Sequence, residues 1–178
     1  MQNNPDGNIP VSEELSGQLQ EASIATEMDG KYLTFWTDSQ LFGVPIVDVV
    51  QIVGIQEITS IPNSPHYVKG VINLRGSIIP IVDVRIRLQK EEASYTERTC
   101  IIVANIHETL IGFVVDSVDA VTNISDDKIS SPPKIIGDTT NNYLTGVVKL
   151  QNKIVLLINT AKLLAEEEID TLANLPQN

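Results

Sequence analysis

The sequence predicts an all-β protein made of two small, SH3-like β-barrels of five strands each, and three observations support this prediction. Apolar residues make up 42% of the 178 residues and fall in many short runs rich in Val and Ile, separated by turn residues. These runs occur twice in the same order, which indicates an internal duplication. Closing each copy into a barrel removes exposed strand edges. A single sandwich of ten strands is the alternative architecture.

A hairpin in the middle of the chain shows the strand pattern most clearly. Residues 62–88 contain two runs rich in Val and Ile, 68–74 and 78–84, joined by a turn at Arg75-Gly76. Gly76 can adopt a positive φ angle there without a Cβ clash, as tight hairpin turns require. The turn leaves the charged head of Arg75 at the tip of the hairpin, within reach of solvent or of a partner.

The same hairpin recurs in the second half of the chain. A shift of 76 positions aligns it with residues 144–164, and a shift of 69 positions aligns residues 41–53 with 110–122. The first alignment places the turn on Gln151-Asn152, and Asn adopts left-handed conformations more readily than most residues. We interpret the pattern as the duplication of one all-β unit of about 65 residues.

The elements follow from the apolar runs and turn residues in order. The first half is predicted to contain strands at 32–36, 41–46, 68–74 and 78–84, a strand or bend at 47–52, a short strand or bridging loop at 58–61, and a helical turn at 84–88. Pro80 predicts an edge or bulged position, because proline cannot donate to a β-ladder. The second half is predicted to contain strands at 99–104, 110–115, 118–124, 143–150 and 153–158.

The ends of the chain and the join between its halves differ in composition from these strands. Polar residues 89–97 form the best linker, and the apolar spacing from Leu163 to Leu175 predicts a helix capped by Asn159 or Thr160. We therefore predict an acidic, disordered tail at 1–29, a folded domain at 30–165 with its first barrel mainly in 30–90 and its second mainly in 98–160, and a C-terminal helix at 160–175.

The negative charge is concentrated at the two ends. The net charge is −11, yet residues 1–30 carry six acids and residues 166–178 carry four, with no Lys or Arg in either segment. The remaining body is close to neutral. Nucleic acid and anionic lipid are therefore poor candidates for the main ligand, because both need clustered cations. A near-neutral body rich in β-branched residues favours protein partners.

The sequence shows no membrane span and no secretion signal. Cys100 is the single cysteine and is expected to be a small buried hydrophobe. These features fit a reducing, cytoplasmic setting.

Few residues suggest catalysis or metal binding. Neither His66 nor His107 has a second ligand at metal-site spacing. Asp83 and Asp116 end apolar strands; a carboxylate pair can do acid–base work, but strand-ending caps occupy the same positions. Arg85 is expected to make a structural ion pair. We expect no cofactor and no metal. A small enzyme with a site between the barrels would require converging polar residues, and the sequence indicates none.

Arg75 is the most informative charged residue. It lies between long Val/Ile strands, with Val49 and Gly70 in neighbouring segments, and an Arg surrounded by apolar surface is typical of an interface anchor. The matching position in the second half is the uncharged Gln151. The two copies therefore share a backbone turn and differ in the side chain presented at its tip.

Residues 62–88, PNSPHYVKGVINLRGSIIPIVDVRIRL, closely resemble the central signature of the CheW-like family of bacterial chemotaxis coupling proteins. The resemblance extends over about residues 31–165 and includes the runs YLTFWTDSQLFGVPI, TCIIVANIHETLIGFVVDSV and YLTGVVKLQNKIVLLIN. It implies two interlocked five-stranded SH3-like barrels around a shared apolar seam.

The resemblance also implies a function without catalysis. Such proteins bridge the cytoplasmic tips of methyl-accepting chemotaxis receptors to the regulatory domain of the CheA histidine kinase, which has the same fold. This role implies a cytoplasmic protein associated with receptor arrays at the inner face of the membrane, without insertion into it. A CheW-like adaptor of another chemosensory pathway, controlling pili or another output, is the alternative within the family.

Site residues are implied by matching positions in this sequence. The receptor-binding positions, in the groove between the barrels, are Val49, Gly70, Asn73, Arg75 and Val121. The kinase-binding positions are Gln51, Ile52, Ser130, Ser131 and Ile135, the last three from a loop that closes rings with the kinase domain. Many members carry Glu at the position of Gln51, and some carry Arg at that of Ser130, so the kinase contacts match less closely.

Overall fold

A computed structural model describes residues 28–133 and 142–175 of the chain. These residues form the strands β1 (Lys31–Thr37), β2 (Gln40–Pro45), β3 (Val49–Gly54), β4 (Val68–Leu74), β5 (Ser77–Asp83), β6 (Cys100–Ile106), β7 (Thr109–Val115), β8 (Ser117–Asn123), β9 (Ile129–Ser130), β10 (Leu144–Leu150) and β11 (Lys153–Ile158). They also form the helices α1 (Val84–Arg87) and α2 (Glu166–Ala173), with single 3₁₀ turns at Ile46–Asp48, Asp126–Lys128 and Thr160–Lys162. None of the described helices could cross a membrane.

Two sheets form the two barrel subdomains, and each sheet takes strands from both halves of the sequence. Barrel A has the strand order β8-β1-β2-β11-β10-β9, and barrel B has the order β3-β6-β7-β5-β4. Each hairpin crosses to the other half, where β5 pairs in parallel with β7 and β11 pairs in parallel with β2. The all-β fold class predicted from the sequence is confirmed, including the interlocking implied by the family resemblance, although barrel A has a sixth strand, the two-residue β9, where five strands were predicted.

The predicted extents of the two barrels are wrong. A first barrel mainly in 30–90 and a second mainly in 98–160 would require each hairpin to stay with its own half, but the hairpins are exchanged. Because the halves are copies, a hairpin meets an equivalent strand in either half, so the local sequence pattern does not select between the two pairings. The exchange joins the two halves of the sequence through strand hydrogen bonds within each barrel, and the shared seam packs the two barrels together.

The register of the strands reproduces the two sequence shifts. Leu157 lies opposite Gly43 in barrel A, and Ile81 lies opposite Gly112 in barrel B. The shift of 76 positions relates Ile81 to Leu157, and the shift of 69 positions relates Gly43 to Gly112. A Cβ atom on Gly43 would lie 2.9 Å from the Leu157 side chain, and one on Gly112 would lie 2.6 Å from that of Ile81. The glycines therefore provide space for the aliphatic side chains at the same point of both barrels, which supports the duplication.

Three apolar clusters account for the nearly unbroken apolar runs of the central strands. In β6, Ile101 and Val103 point into barrel B, whereas Ile102 and Ala104 point into a seam shared with barrel A. Both faces of the strand are buried, so the sequence shows no polar alternation. The interior of barrel A has a separate cluster, and the seam draws on both barrels through Leu33, Phe35, Phe42, Val44, Val82, Ile111, Phe113 and Val115.

The C-terminal helix is shorter than predicted. The chain forms a 3₁₀ turn at Thr160–Lys162, whose N-cap Asn159 accepts a hydrogen bond from the Ala161 amide at 2.9 Å, and α2 begins only at Glu166. Leu163 and Leu164 are both buried in the seam between the two elements. Adjacent residues point about 100° apart on an α-helix, so burying both against one seam favours a break in the helix. The predicted tail at 1–29 lies almost wholly outside the described residues.

The structure confirms the bridging segment at 58–61, but it places Pro80 on the interior strand β5 and away from the bulge of the β4–β5 pair. Thr59 and Val71 exchange two backbone hydrogen bonds of 2.9 Å, which makes 58–61 a bridging segment beside β4. Pro80 pairs with Val71 on one side, and the pairing of β5 with β7 begins only at Ile81. Proline therefore occupies a locally unpaired side of its strand, where a missing N–H costs no ladder bond.

Candidate partner-binding surfaces

The β4–β5 hairpin holds its charged tip in a fixed conformation. Arg75 and Gly76 have φ angles of 53° and 88° and form a two-residue turn between the paired residues Leu74 and Ser77. The side-chain oxygen of Asn73 accepts a hydrogen bond from the Gly76 amide at 2.9 Å. Arg75 is exposed, and no described residue pairs with its guanidinium. The hairpin therefore presents a free cation on a rigid support.

Gly70 has a structural role in this hairpin. It is buried with φ at 139°, and a Cβ atom on it would lie 2.0 Å from the carbonyl oxygen of Thr59. The bridging segment 58–61 can cross β4 only because this position has no side chain. A substitution here would act on a partner site indirectly, by displacing the hairpin.

The other two predicted receptor-binding residues lie apart from the hairpin. Val49 begins β3, is half-buried and packs against the seam. Its neighbour Asp48 lines the same part of the seam, and burial raises the pKa of the Asp48 carboxyl. Val121 lies on β8 of barrel A, opposite Leu33, and is 57% exposed. The structure thus brings Gly70, Asn73 and Arg75 together on one hairpin and leaves Val49 and Val121 on separate strands.

The predicted kinase-binding residues fall on both barrels. Gln51 and Ile52 lie on β3 at one end of the barrel B sheet, with Gln51 half-buried and Ile52 41% exposed. Ser130 ends β9 at one end of the barrel A sheet, and Ser131 follows it; both are exposed. Ile135 lies outside the described residues. These residues therefore define two surfaces and not one.

Val47 and Val50 are exposed apolar residues that the sequence analysis missed. Together with Ile52 they form the β3 edge patch: Val50 and Ile52 are the outward-facing β-branched residues of this edge strand, and Val47 lies in the 3₁₀ turn just before it. In the run VVQIV, the residues that point to either face of the strand are mainly apolar, with Gln51 as the exception. Only the observed burial pattern therefore shows which of them face outward. An apolar edge strand of this kind is typical of a surface that a partner covers.

The duplication relates the exposed apolar positions of the two barrels. A shift of 69 places Ile52 of β3 on Val121 of β8, and both residues are exposed on the edge strand of their own sheet. Each strand has a bulge at the matching place, near Val49 in β3 and near Val118 in β8. The two barrels therefore present an apolar side chain at the same structural position.

The carboxylates considered for catalysis are held in structural contacts. The buried Asp83 accepts a hydrogen bond from the Tyr95 hydroxyl at 2.8 Å and also caps α1, and burial with this hydrogen bond raises the pKa of Tyr95 well above its usual value. Arg85 donates two hydrogen bonds of 2.8 Å to Asp116. Burial alone would raise the pKa of Asp116, but the Arg85 hydrogen bonds, the hydrogen bond from the Asp38 amide and the Arg85 charge together outweigh burial and lower that pKa.

These contacts join the strand ends to the neighbouring turns and leave no carboxylate pair facing a cleft. Across the described ranges, no group of three His, Cys, Asp or Glu residues is placed to hold a metal ion.

Comparisons with known proteins agree with the fold. Residues 31–168 match the model of the CheW-like domain family. The chain is 33% identical to the chemotaxis protein CheW of Klebsiella aerogenes over 92% of this chain and 99% of that protein. It is 35% identical to the chemotaxis protein CheW of Rhizobium meliloti over 76% of this chain and 88% of that protein.

A solved structure is similar over most of the fold. The crystal structure of the scaffolding protein TtCheW from Thermoanaerobacter tengcongensis has a TM-score of 0.70 and 32% sequence identity, covering 75% of this chain and 91% of that chain. The interlocked double barrel, the exposed edge strands and these relatives lead to one assignment: the chain belongs to the CheW-like family and has the function of a chemotaxis coupling adaptor.

Proposed function

We propose that this chain bridges the cytoplasmic tips of methyl-accepting chemotaxis receptors to the regulatory domain of a CheA-type histidine kinase, without catalysing a reaction. The observation that carries the proposal is the separation of two kinds of surface on one rigid double barrel. One is the charged tip at Arg75, and the other is the apolar β3 edge patch. An adaptor needs two such surfaces, because it must bind both partners at once.

The receptor side of the proposal rests on Arg75. A receptor tip is a helical hairpin, and such helices bind in apolar grooves with polar contacts at the rim. The exposed guanidinium on a fixed turn can donate hydrogen bonds to a carboxylate or to the carbonyl groups at a helix end. Asn73 holds that turn through its hydrogen bond to Gly76, so its part in binding is to position Arg75.

The kinase side rests on the edge strands. The β3 edge patch offers Ile52 with Val47 and Val50, and a partner domain of the same fold can pack its own edge strand against such a surface. Ser130 and Ser131 lie on the other barrel and would contact a second kinase domain, as ring closure requires. In this role the protein is cytoplasmic and associated with receptor arrays at the inner face of the membrane.

A crossed binding experiment tests the proposal. Full-length Arg75→Ala and Ile52→Asp proteins are titrated with a receptor-tip fragment and with a kinase regulatory domain. We expect Arg75→Ala to weaken receptor binding roughly tenfold and to leave kinase binding unchanged, since truncating a central Arg anchor typically costs more than 1 kcal/mol. We expect Ile52→Asp to weaken kinase binding alone.

The duplication supplies a matched control for this experiment. Gln151→Ala changes the equivalent turn position of the other hairpin, which has the same φ of 53°, and should leave both affinities unchanged. Circular dichroism checks that each variant is folded. Equal losses toward both partners, or unchanged receptor binding by folded Arg75→Ala, would contradict the proposal.

A further inference from the structure

The duplication creates two equivalent grooves, one on each barrel. In barrel B, the groove lies between the start of β5 and the turn before β7, and it is lined by Ile78, Pro80 and Thr109. In barrel A, the equivalent groove lies between the start of β11 and the turn before β2, and Ile154 and Gln40 line it. The shifts of 76 and 69 relate the two sets of residues, so the grooves are copies of one another.

Helix α2 partly covers the barrel B groove, which keeps an open space of about 270 Å³, whereas no described helix lines the barrel A groove. Helix α2 packs beside the barrel B groove, with Leu172 and Ala173 in its lining, and Ile78 is half-buried there. The barrel A groove is an open space of about 470 Å³, and Ile154 is 63% exposed. Ile154 is more exposed than the equivalent Ile78 of barrel B, so the barrel A groove presents an apolar surface to which another segment can bind.

The chemistry of the open groove indicates what the cover should be. The floor is apolar, formed by Trp36, Ile154 and Leu156. The rim is cationic: the Lys153 ammonium lies 5.6 Å from the centre of the Trp36 ring, and the exposed Lys149 lies opposite Ile154 in the register. A matching ligand is acidic and carries two apolar side chains one helical turn apart.

Helix α2 has this chemistry, and so does a second segment of the chain. The sequence of α2 is EEEIDTLA, with Ile169 and Leu172 buried. Residues 12–21 read SEELSGQLQE, with Leu15 and Leu19 four positions apart and three glutamates. This segment lies outside the described residues and belongs to the stretch 1–30, which has six acids and no Lys or Arg.

The connection is long enough for this segment to reach the groove. Strand β1 leads from Lys31 to Trp36, a distance of about 16 Å at the usual rise of a strand. Residues 20–30 can span roughly 35 Å when extended. A segment held by so short a connection has an effective concentration in the millimolar range, so even a weak contact is populated. We propose that residues 12–21 of the same chain bind the barrel A groove.

Trp36 reports directly on this contact, because it is the single tryptophan of the chain and lines the groove. In the full-length protein, Leu15→Asp/Leu19→Asp should red-shift the Trp36 emission and raise its acrylamide quenching constant roughly twofold, as expected when a half-populated contact is lost. Gln18→Asp/Gln20→Asp adds the same charge at neighbouring polar positions and should leave both values unchanged. Ile154→Asp should raise quenching by itself and make the leucine substitutions ineffective.

Three outcomes would overturn the proposal. The first is identical quenching in the wild-type protein and in Leu15→Asp/Leu19→Asp. The second is an equal increase in the Gln18→Asp/Gln20→Asp control. The third is a quenching constant of the wild-type protein that falls with protein concentration, which would identify a second copy as the occupant. None of these measurements uses a receptor or a kinase, so the result is independent of the proposed bridging function.

Discussion

Gly70 shows how much a single position can constrain this fold. Its φ of 139° is rarely adopted by residues with a side chain, and a Cβ atom would lie 2.0 Å from the Thr59 oxygen, which is far inside van der Waals contact. The atoms that this Cβ would meet belong to the backbone of Thr59 and Ser60, so a rotamer change cannot relieve the clash. The bridge between Thr59 and Val71 therefore depends on glycine.

We predict that Gly70→Ala lowers the free energy of unfolding by about 3 kcal/mol or more, from the combination of backbone strain and displacement of the bridging segment. Urea denaturation measures the change. Gly54→Ala is the matched control, because no described residue other than its chain neighbours lies within 4 Å of its added Cβ and its φ is not positive. A Gly70→Ala protein as stable as Gly54→Ala would show that the bridge is not needed.

Predictions from the sequence for single residues differ in accuracy. The exposed tip position of Arg75 followed from a turn signal within a few residues, and the structure agrees with it. The partner of Arg85 could not be predicted, because Asp116 lies 31 positions away and meets it only through the exchanged strand pairing. The outward orientation of Val50 is not evident from the sequence either, because the polar Gln51 lies on the half-buried face of β3 while the apolar Val50 and Ile52 face outward.

At the scale of elements, the ion pair between Arg85 and Asp116 links α1 to the corner between β7 and β8. Arg85 also contacts Asp38 in the β1–β2 turn at 3.4 Å, and the Asp38 amide donates to Asp116 at 2.8 Å. One carboxylate therefore holds a helix and two strand connections together. The Asp116 pKa is lowered in the folded protein, so the pair stabilises the fold in its ionised form.

This lowered pKa gives a pH dependence with a definite sign. The contribution of Asp116 is fully present above the pKa of an unfolded Asp, about 3.9, and is lost as the pH falls through the lower pKa of the folded state. Asp116→Asn should therefore reduce the free energy of unfolding at pH 7, and the difference from the wild-type protein should shrink at pH values below about 4. Urea midpoints at several pH values measure this.

The exposed Asp127 serves as the control, because its carboxylate makes no ion pair with a described residue. Asp127→Asn should change the urea midpoint little at any pH. A difference between Asp116→Asn and the wild-type protein that stays constant from pH 7 to strongly acidic pH would rule out the proposed titration.

The turns show where local sequence rules were sufficient and where they failed. Asp38-Ser39 and His107-Glu108 occupy equivalent two-residue turns and have positive φ angles between 49° and 66°. Their strands were predicted from periodicity, although neither turn has the Asn-Gly sequence that such turns favour. The helix predicted at 160–175 is shorter in the structure, because the apolar spacing alone does not show that the seam buries Leu163 and Leu164 together.

At the scale of the whole molecule, the exchange of hairpins makes the two halves interdependent. The parallel pairs β5–β7 and β11–β2 and the antiparallel pairs β3–β6 and β1–β8 all join one half to the other. The duplication itself was visible in the sequence, but the exchange was not, because equivalent strands offer equivalent partners within and between halves. Burial of the shared seam distinguishes the two arrangements, and that is a property of the assembled fold.

We predict that neither half of the chain folds alone. Residues 1–97 and 98–178 expressed separately should lack cooperative unfolding, because each would expose its seam residues and the four strand edges that pair with the other half. The two fragments expressed together should associate and recover the circular dichroism spectrum of the intact chain. Cooperative unfolding of either fragment by itself would show that a half can form a complete barrel.

The exchanged hairpins also bear on how such a chain arose. A single repeat that paired as the present halves do would have exchanged hairpins with an identical molecule, so the simplest ancestor with this pairing is an intertwined homodimer with a twofold axis through the present seam. Gene fusion would then have released the two copies from having identical sequences. The two hairpin tips then diverged, so that one carries Arg75 and the other carries Gln151 with the same φ angle.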